Sequence, residues 1–373
     1  MGLLDYYKQF DGLSSEEVSE QLRLQAQERR AKELERVEPV DLSRTTWPGL
    51  PHPYVVNSIT YAARRGLNRY ADPHATELRS ELAHRHGIDA SRVVVGNGAA
   101  QLLATAAGVL LEPLDELVTA WPSYPLYPLL ARRSHGHAVP VPGFGAERLL
   151  AAVNDRTRIV AVCNPNDPTG ELMSLEELDH LLGALPERVV TFLDEALVDY
   201  ADEAAMPDDG SLGLLERHER LLVFRTFSKA WGLAGLRCGY AIGPEGSQAL
   251  LEQLEPDLGV DELAQAGALE ALKSTGERVA KGIATVRAQR ERVVEALRGG
   301  PVEVQPSQAN VLWMRTRGMD GAELARRLER HGVIVQPGGA IGQPDHVRAS
   351  VHLPQHAERL MHALEQETGG RTR

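Results

Sequence analysis

The stretch from Leu221 to Gly243 limits what this chain can become more than any other part of it. Leu221-Leu-Val-Phe224 is an apolar run suited to a buried strand, and a second apolar run closes the stretch before Gly243. Between them stand Thr226, Ser228, a lone Lys229, Gly232, Gly235 and Arg237. Hydroxyls and a guanidinium are phosphate ligands. An amine held in apolar surroundings gives up its proton more readily and can form a Schiff base with a carbonyl. A single lysine in a glycine-containing loop is ordinarily an exposed side chain. The rest of the chain has to decide between these two readings.

Composition narrows the classes. At 373 residues the chain can bury a large core and is expected to form two domains. Hydrophobic residues make up 43% and charged residues 25%, the balance of an ordinary globular protein. The net charge of -12, with no basic block to offset it, argues against a nucleic-acid partner. Two cysteines, Cys163 and Cys238, cannot make a disulfide framework and fit a reducing compartment. The opening Met1-Gly-Leu-Leu-Asp-Tyr-Tyr-Lys8 has no signal-peptide or lipidation logic, and no apolar run is long enough to span a bilayer. A cytoplasmic protein is expected, and no metal ligand set stands out.

Read in order, the chain alternates strands and helices. Residues 14–38 begin with Ser14, Ser15, Glu16 and Glu17, a helix start with acids in its first turn, and carry the thin apolar stripe Val18, Leu22, Ala26, Leu34 and Val37. This helix is either an arm that packs on a partner subunit or a solvated helix on its own domain. A helix over 58–67 and a turn at Asn68-Arg-Tyr-Ala-Asp-Pro73 follow, then a helix over 76–86. Arg92-Val-Val-Val95, Gly96-Asn-Gly98 and the helix from Ala99 form strand, glycine turn and helix, so free N–H groups at Gly98, Ala99 and Ala100 can meet an anion. The turn is not G-x-G-x-x-G, and no Walker lysine motif is present.

Strand Glu116-Leu-Val-Thr119 runs into Trp121-Pro-Ser-Tyr-Pro-Leu-Tyr127, where proline-pinned aromatics either pack in a loop or stack on a flat ring. Strand 158–163 runs into Asn164-Pro-Asn-Asp-Pro-Thr-Gly170, and a helix capped by Ser174 with Glu177 follows. Strand 188–193 ends on Asp194, an acid at the carboxyl end of a parallel strand and well placed to meet a ligand. Beyond residue 260 come helices over 263–272, 278–297 and 321–331 and strands over 309–314, 332–335 and 347–351, the pattern of a smaller α+β unit.

Taken together, these strings resemble the class I/II aminotransferases of pyridoxal-phosphate fold type I, most of all their histidinol-phosphate aminotransferase branch. Thr226 to Arg237 matches S-K-x-x-G-x-x-G-x-R, and Asn164 to Gly170 matches P-N-x-P-T-G. The resemblance covers roughly residues 46–352 and implies an α/β fold. A large domain (46–260) would hold a mainly parallel central sheet flanked by helices. A smaller α+β domain (261–373) would follow, with an N-terminal arm (1–45) before both. It implies pyridoxal 5'-phosphate as cofactor and a homodimer. Lys229 would be the covalent and proton-moving lysine, Asp194 the partner of the ring nitrogen, and Tyr124 the residue stacked on the ring. Thr226, Ser228, Arg237 and the Gly98–Ala100 amides would hold the phosphate, joined by Tyr70 from the partner subunit. Asn166 and Asp167 would lie near the cofactor's 3'-oxygen. Arg348 would clamp a substrate carboxylate or phosphate. The implied reaction moves an amino group from an amino acid or amino phosphate to a 2-oxo acid. A decarboxylase or oxidase of the same fold is the alternative, with a non-catalytic sensor and a nucleotide-binding enzyme as outsiders.

Four departures qualify the substrate and the cofactor environment. Asp167 stands where the family has Asn, and Leu197 where it has Tyr, so both usual donors to the 3'-oxygen are missing. A carboxylate there is expected to favour the protonated lysine–cofactor linkage. Gln336, in Val333-Ile-Val-Gln-Pro-Gly338, replaces an arginine that helps hold a substrate phosphate, and Thr46-Trp-Pro48 stands in place of N-E-N-P. The expectation is one carboxylate on Arg348 and a less anionic far end of the substrate.

Overall fold

Continuous apolar runs rather than alternating ones point to strands covered on both faces, and the computed structural model of the chain has that arrangement. It describes residues 12–34 and 38–369. In chain order the strands are β1 (Val40–Asp41), β2 (Val93–Gly96), β3 (Glu116–Trp121), β4 (His137–Pro142), β5 (Thr157–Cys163), β6 (Val190–Asp194), β7 (Leu221–Thr226), β8 (Gly239–Ile242), β9 (Val302–Val304), β10 (Val311–Thr316), β11 (Val333–Ile334), β12 (Gln336–Pro337) and β13 (His346–Ser350).

Seven strands form the central sheet in the order β2-β8-β7-β6-β5-β3-β4. The pairs β7–β6, β6–β5, β5–β3 and β3–β4 are parallel, while β8 runs antiparallel to both β7 and β2. β8 turns back because only the lysine loop, 227–238, connects it to β7, with no crossover helix. The central strands are buried along their length, as in β7, where all six residues are enclosed. Two apolar clusters cover the two faces. One joins Val95, Val118, Val160 and Phe227 to helix Thr76–His86, and the other joins Leu102, Leu117, Phe192 and Phe224 to helix Ala99–Leu110.

The second unit is an antiparallel sheet, β12-β13-β10-β9. Its core gathers Val293, Leu312, Leu328, Val347 and Leu364. Val40 and Leu42 join that core, and β1 pairs in parallel with β11. The segment just before residue 45 is thus sewn into the C-terminal unit. Helix Glu262–Ser274 sides instead with the large unit, through Ala264, Ala268 and Ala271.

Most expected elements are present with ends shifted by a few residues, and helix 76–86 has the expected bounds. The first helix runs Ser15–Leu34, and Val37 of its expected stripe lies outside the described residues. Ser14 and Glu17 cap it reciprocally, and Leu22 and Leu24 of this helix are 42% and 54% exposed. Strand β4 has no counterpart in the sequence reading because Pro140 and Pro142 interrupt it. As the edge strand beside β3 it needs no N–H at those positions on its open side.

Candidate active site

Apart from β8, the central strands share one direction, so β2, β3, β5, β6 and β7 end on one edge. That edge of an α/β sheet is where ligands bind. A cavity of about 190 Å³ lies there, and Lys229, Asp194, Tyr124 and Asp167 all line it.

Lys229 follows β7 in a loop that turns at Gly232, whose φ is +70°. Burial holds its amine below the ordinary 10.5; the nearby Asp167 and Asp194 charges offset this in part, and Arg348 adds to it. Nζ donates to Thr45 Oγ1. Thr45 is a buried hydroxyl just after β1, and no sequence signal singled it out.

Asp194 closes β6. Burial pushes its carboxyl up to about 6, against the lowering effect of two donors and of Lys229. Those donors are Ala196 N–H to Oδ1 and Tyr127 O–H to Oδ2, each at 3.0 Å. Tyr127 is fully enclosed and meets Tyr124 edge-on, with ring centroids 5.7 Å apart. Burial, with Asp194 and Asp167 nearby, raises Tyr124 to about 12, so its hydroxyl keeps its proton at neutral pH. The next residue, Glu195, is held by Arg225 through two bonds of 2.9 and 2.7 Å, which fixes the turn that presents Asp194. Tyr127, Glu195 and Arg225 were not recognised from the sequence as site residues; Tyr127 stood in the quoted aromatic string with no role attached.

At one end of the cavity the residues suit an anion. Thr226, Ser228, Arg237, Ala99 and Ala100 all line it. Ala99 opens a helix, and the first N–H groups of a helix have no intrahelical acceptor. Ser228 N–H donates to Thr226 Oγ1 at 3.1 Å, and Arg237 Nη1 approaches Ser228 Oγ at 3.4 Å. Gly98 sits behind this cradle with φ +85°, and a Cβ there would lie 2.7 Å from Arg237 Nη2. The missing side chain is what lets the guanidinium lie against the turn. The donor set therefore fits pyridoxal phosphate: a cradle for the phosphate, an amine beside it, and a buried acid for the ring nitrogen.

Other expected residues lie differently. Leu197 lines the cavity as an apolar wall. Asn166 is turned into its own loop, donating to the Pro122 carbonyl and Thr169 Oγ1 and accepting from Ser123 Oγ, so its amide is already satisfied. Asp167 faces the cavity, but Arg348 Nη1 donates to its Oδ1 at 2.6 Å. The expected substrate clamp and the expected cofactor neighbour are thus one ion pair. Gln336 stands opposite Arg348 in the β12–β13 register. Tyr70 is 88% exposed and borders a separate hollow of about 570 Å³ with Tyr61, Arg65 and Lys273.

Comparison with known proteins agrees with this geometry. The sequence pattern of the aminotransferase class I and II family matches residues 38–364. The histidinol-phosphate aminotransferase 1 of Nitrosococcus oceani is 36% identical over 330 residues, covering 87% of this chain and 88% of that protein. The aromatic amino acid aminotransferase of Thermobifida fusca is 39% identical over 318 residues, covering 84% and 86%. The crystal structure of a histidinol-phosphate aminotransferase from Sinorhizobium meliloti with pyridoxal-5'-phosphate superposes with a TM-score of 0.79 at 26% identity, covering 91% of this chain and 93% of that one. With lysine, acid and anion cradle on one sheet edge and a match along most of its length, the chain belongs to the class I and II aminotransferases, pyridoxal-phosphate enzymes of fold type I that move an amino group between a small-molecule amino donor and an oxo acid.

Proposed function

We propose that this aminotransferase acts on an amino acid through a single carboxylate held by Arg348, with a neutral group at the far end of the substrate. The observation that carries this reading is that Lys229, Asp194 and Asp167 line one cavity whose other end is built for an anion, and that Arg348 is brought to it by its bond to Asp167. Bound pyridoxal phosphate supplies an electrophilic carbonyl and a ring that takes up the electron pair left at the substrate α-carbon. Thr226, Ser228, Arg237 and the amides at Gly98–Ala100 hold the phosphate. Asp194, buried and hydrogen-bonded by Tyr127 and Ala196, keeps a proton on the ring nitrogen. Lys229 Nζ, whose proton burial has loosened, would be the amine that holds the cofactor through its carbonyl carbon, the oxygen leaving as water, and, once released by the substrate amine, would be the base that takes the proton from the substrate α-carbon. Tyr124 and Leu197 line the same cavity, where Tyr124 would stack on the ring and Leu197 would exclude water beside it.

The far-end preference rests on Gln336. An amide beside Arg348 supplies no second positive charge for a phosphate, a loss of about 1.5–3 kcal/mol of charge-assisted binding. The name of the Thermobifida fusca relative points the same way, to an aromatic amino acid. A visible-absorbance titration of the holoprotein with phenylalanine and with histidinol phosphate tests the preference. Tighter binding of phenylalanine is expected, and much tighter binding of histidinol phosphate would overturn it.

The homodimer belongs to the same reading, with Tyr70 reaching the partner's phosphate cradle. It is supported by exposed apolar side chains gathered around helix Pro53–Gly66: Tyr54, Val56, Tyr61, Leu67 and Tyr70. A cytoplasmic location is also part of it. Both cysteines are unpaired and buried, and no helix among the described residues is long and apolar enough to cross a membrane.

A further inference from the structure

We propose that Asp167 is a built-in counter-ion of Arg348 and sets the carboxylate affinity of the site: without substrate it holds the guanidinium on which a substrate carboxylate must sit. This rests on the reading of Arg348 as the carboxylate clamp.

Arg348 lies in β13, and its side chain and that of Asp167 are both mostly enclosed. A guanidinium carries five N–H donors. One Nη1 hydrogen goes to Asp167, and one Nη2 hydrogen goes to the Ser43 carbonyl. Nε is buried and has no hydrogen-bond partner. Bidentate capture of an incoming carboxylate needs two adjacent donors. The arriving group must therefore share the cation with Asp167 or push Asp167 off it.

Sharing sets two carboxylates against one positive charge, and like charges that close repel. Displacement strips a nearly buried carboxylate of its charge-assisted bond. Gln336, opposite Arg348 in the sheet register, brings an amide and no second cation to relieve either cost. An Asn at position 167 would still accept from Arg348 but carry no charge, leaving the full positive charge for the substrate. Asp167 thus trades carboxylate affinity for a guanidinium that is neutralised when the site is empty.

The effect discriminates between ligands. It weakens a ligand in proportion to the negative charge it brings to Arg348, and it leaves an uncharged analogue untouched. The probes are 3-phenylpropanoate, which has the carboxylate but no amino group to react, and its primary amide. Calorimetric titration of the holoprotein gives Kd for each, in the wild type and in Asp167→Asn, Asp167→Ser and Arg348→Gln. The carboxylate is expected to bind about tenfold more tightly in Asp167→Asn and Asp167→Ser, with the amide as in the wild type. Equal or weaker carboxylate binding in both variants would overturn the proposal, as would an equal gain for the amide. Arg348→Gln separates the two levels of the claim. If it weakens the carboxylate while the Asp167 variants change nothing, Arg348 is the clamp and the counter-ion idea fails. If it leaves the carboxylate unchanged, the clamp reading itself fails and the proposal goes with it.

Discussion

Asp194 shows how burial at one residue becomes a measurable property of the protein. Its native carboxyl is pushed from an ordinary 3.8 up to about 6 by desolvation. A raised carboxyl pKa means that the native state binds more protons than the unfolded chain between those two values. The contribution of Asp194 to stability is therefore complete below pH 3.8 and is lost as the pH rises through about 6. The loss is on the order of 3 kcal/mol. In the cofactor-free protein, the difference in unfolding free energy between wild type and Asp194→Asn should slope with pH across that window and be flat above it. Urea unfolding at a series of pH values reads it. Tyr127→Phe removes one of the two donors to the same carboxylate, and leaving that buried oxygen unpartnered should cost about 1–3 kcal/mol. The sequence offered Asp194 through its place at a strand end, a one-dimensional signal. It gave no such signal for Tyr127 or Thr45, because each meets its partner only after distant segments fold together. Thr45 is 184 positions from Lys229.

Among elements, the turn between β2 and helix Ala99–Leu110 ties backbone shape to anion binding. Gly98 needs φ +85° and an open space where Arg237 lies. Gly98→Ala strains the turn and moves the guanidinium, two effects on one cradle. The expected result is pyridoxal phosphate binding weakened by about tenfold or more, read by visible absorbance. Pyridoxal, which lacks the phosphate, should bind as it does to the wild type, and equal losses for both would place the damage elsewhere. The strand–turn–helix pattern here was legible because apolar runs, glycines and helix formers are local signals. β1 and β9 were not, since strands of two and three residues owe their existence to their neighbours. The ion pair between Asp167 and Arg348 joins residues 181 positions apart in different units. The sequence showed both as unusual or charged, but only folding reveals that each answers the other.

For the whole molecule, the exposed face around helix Pro53–Gly66 raises the question of what covers it. Leu67 is 74% exposed and Tyr70 88%, and Tyr70 borders, with Tyr61, a wide hollow that lies apart from the Lys229 cavity. Large exposed side chains beside a wide, charge-lined hollow are what an interaction surface offers a partner. If the surface joins two copies and Tyr70 serves the neighbour's site, the two defects Lys229→Ala and Tyr70→Ala should complement each other. A chain with Lys229→Ala still offers Tyr70, and a chain with Tyr70→Ala still offers Lys229. Unfolding and refolding the two variants together would create mixed dimers in which one of the two sites has both residues intact. Amino transfer above the level of either variant refolded alone is the expected outcome. If Tyr70 acted within its own chain, no mixed dimer would own a complete site and mixing would add nothing. Sedimentation of the same samples reports the assembly directly, and Tyr61→Glu, which replaces an exposed ring on this face by a charge that would have to be buried in a dimer, should shift it toward single chains.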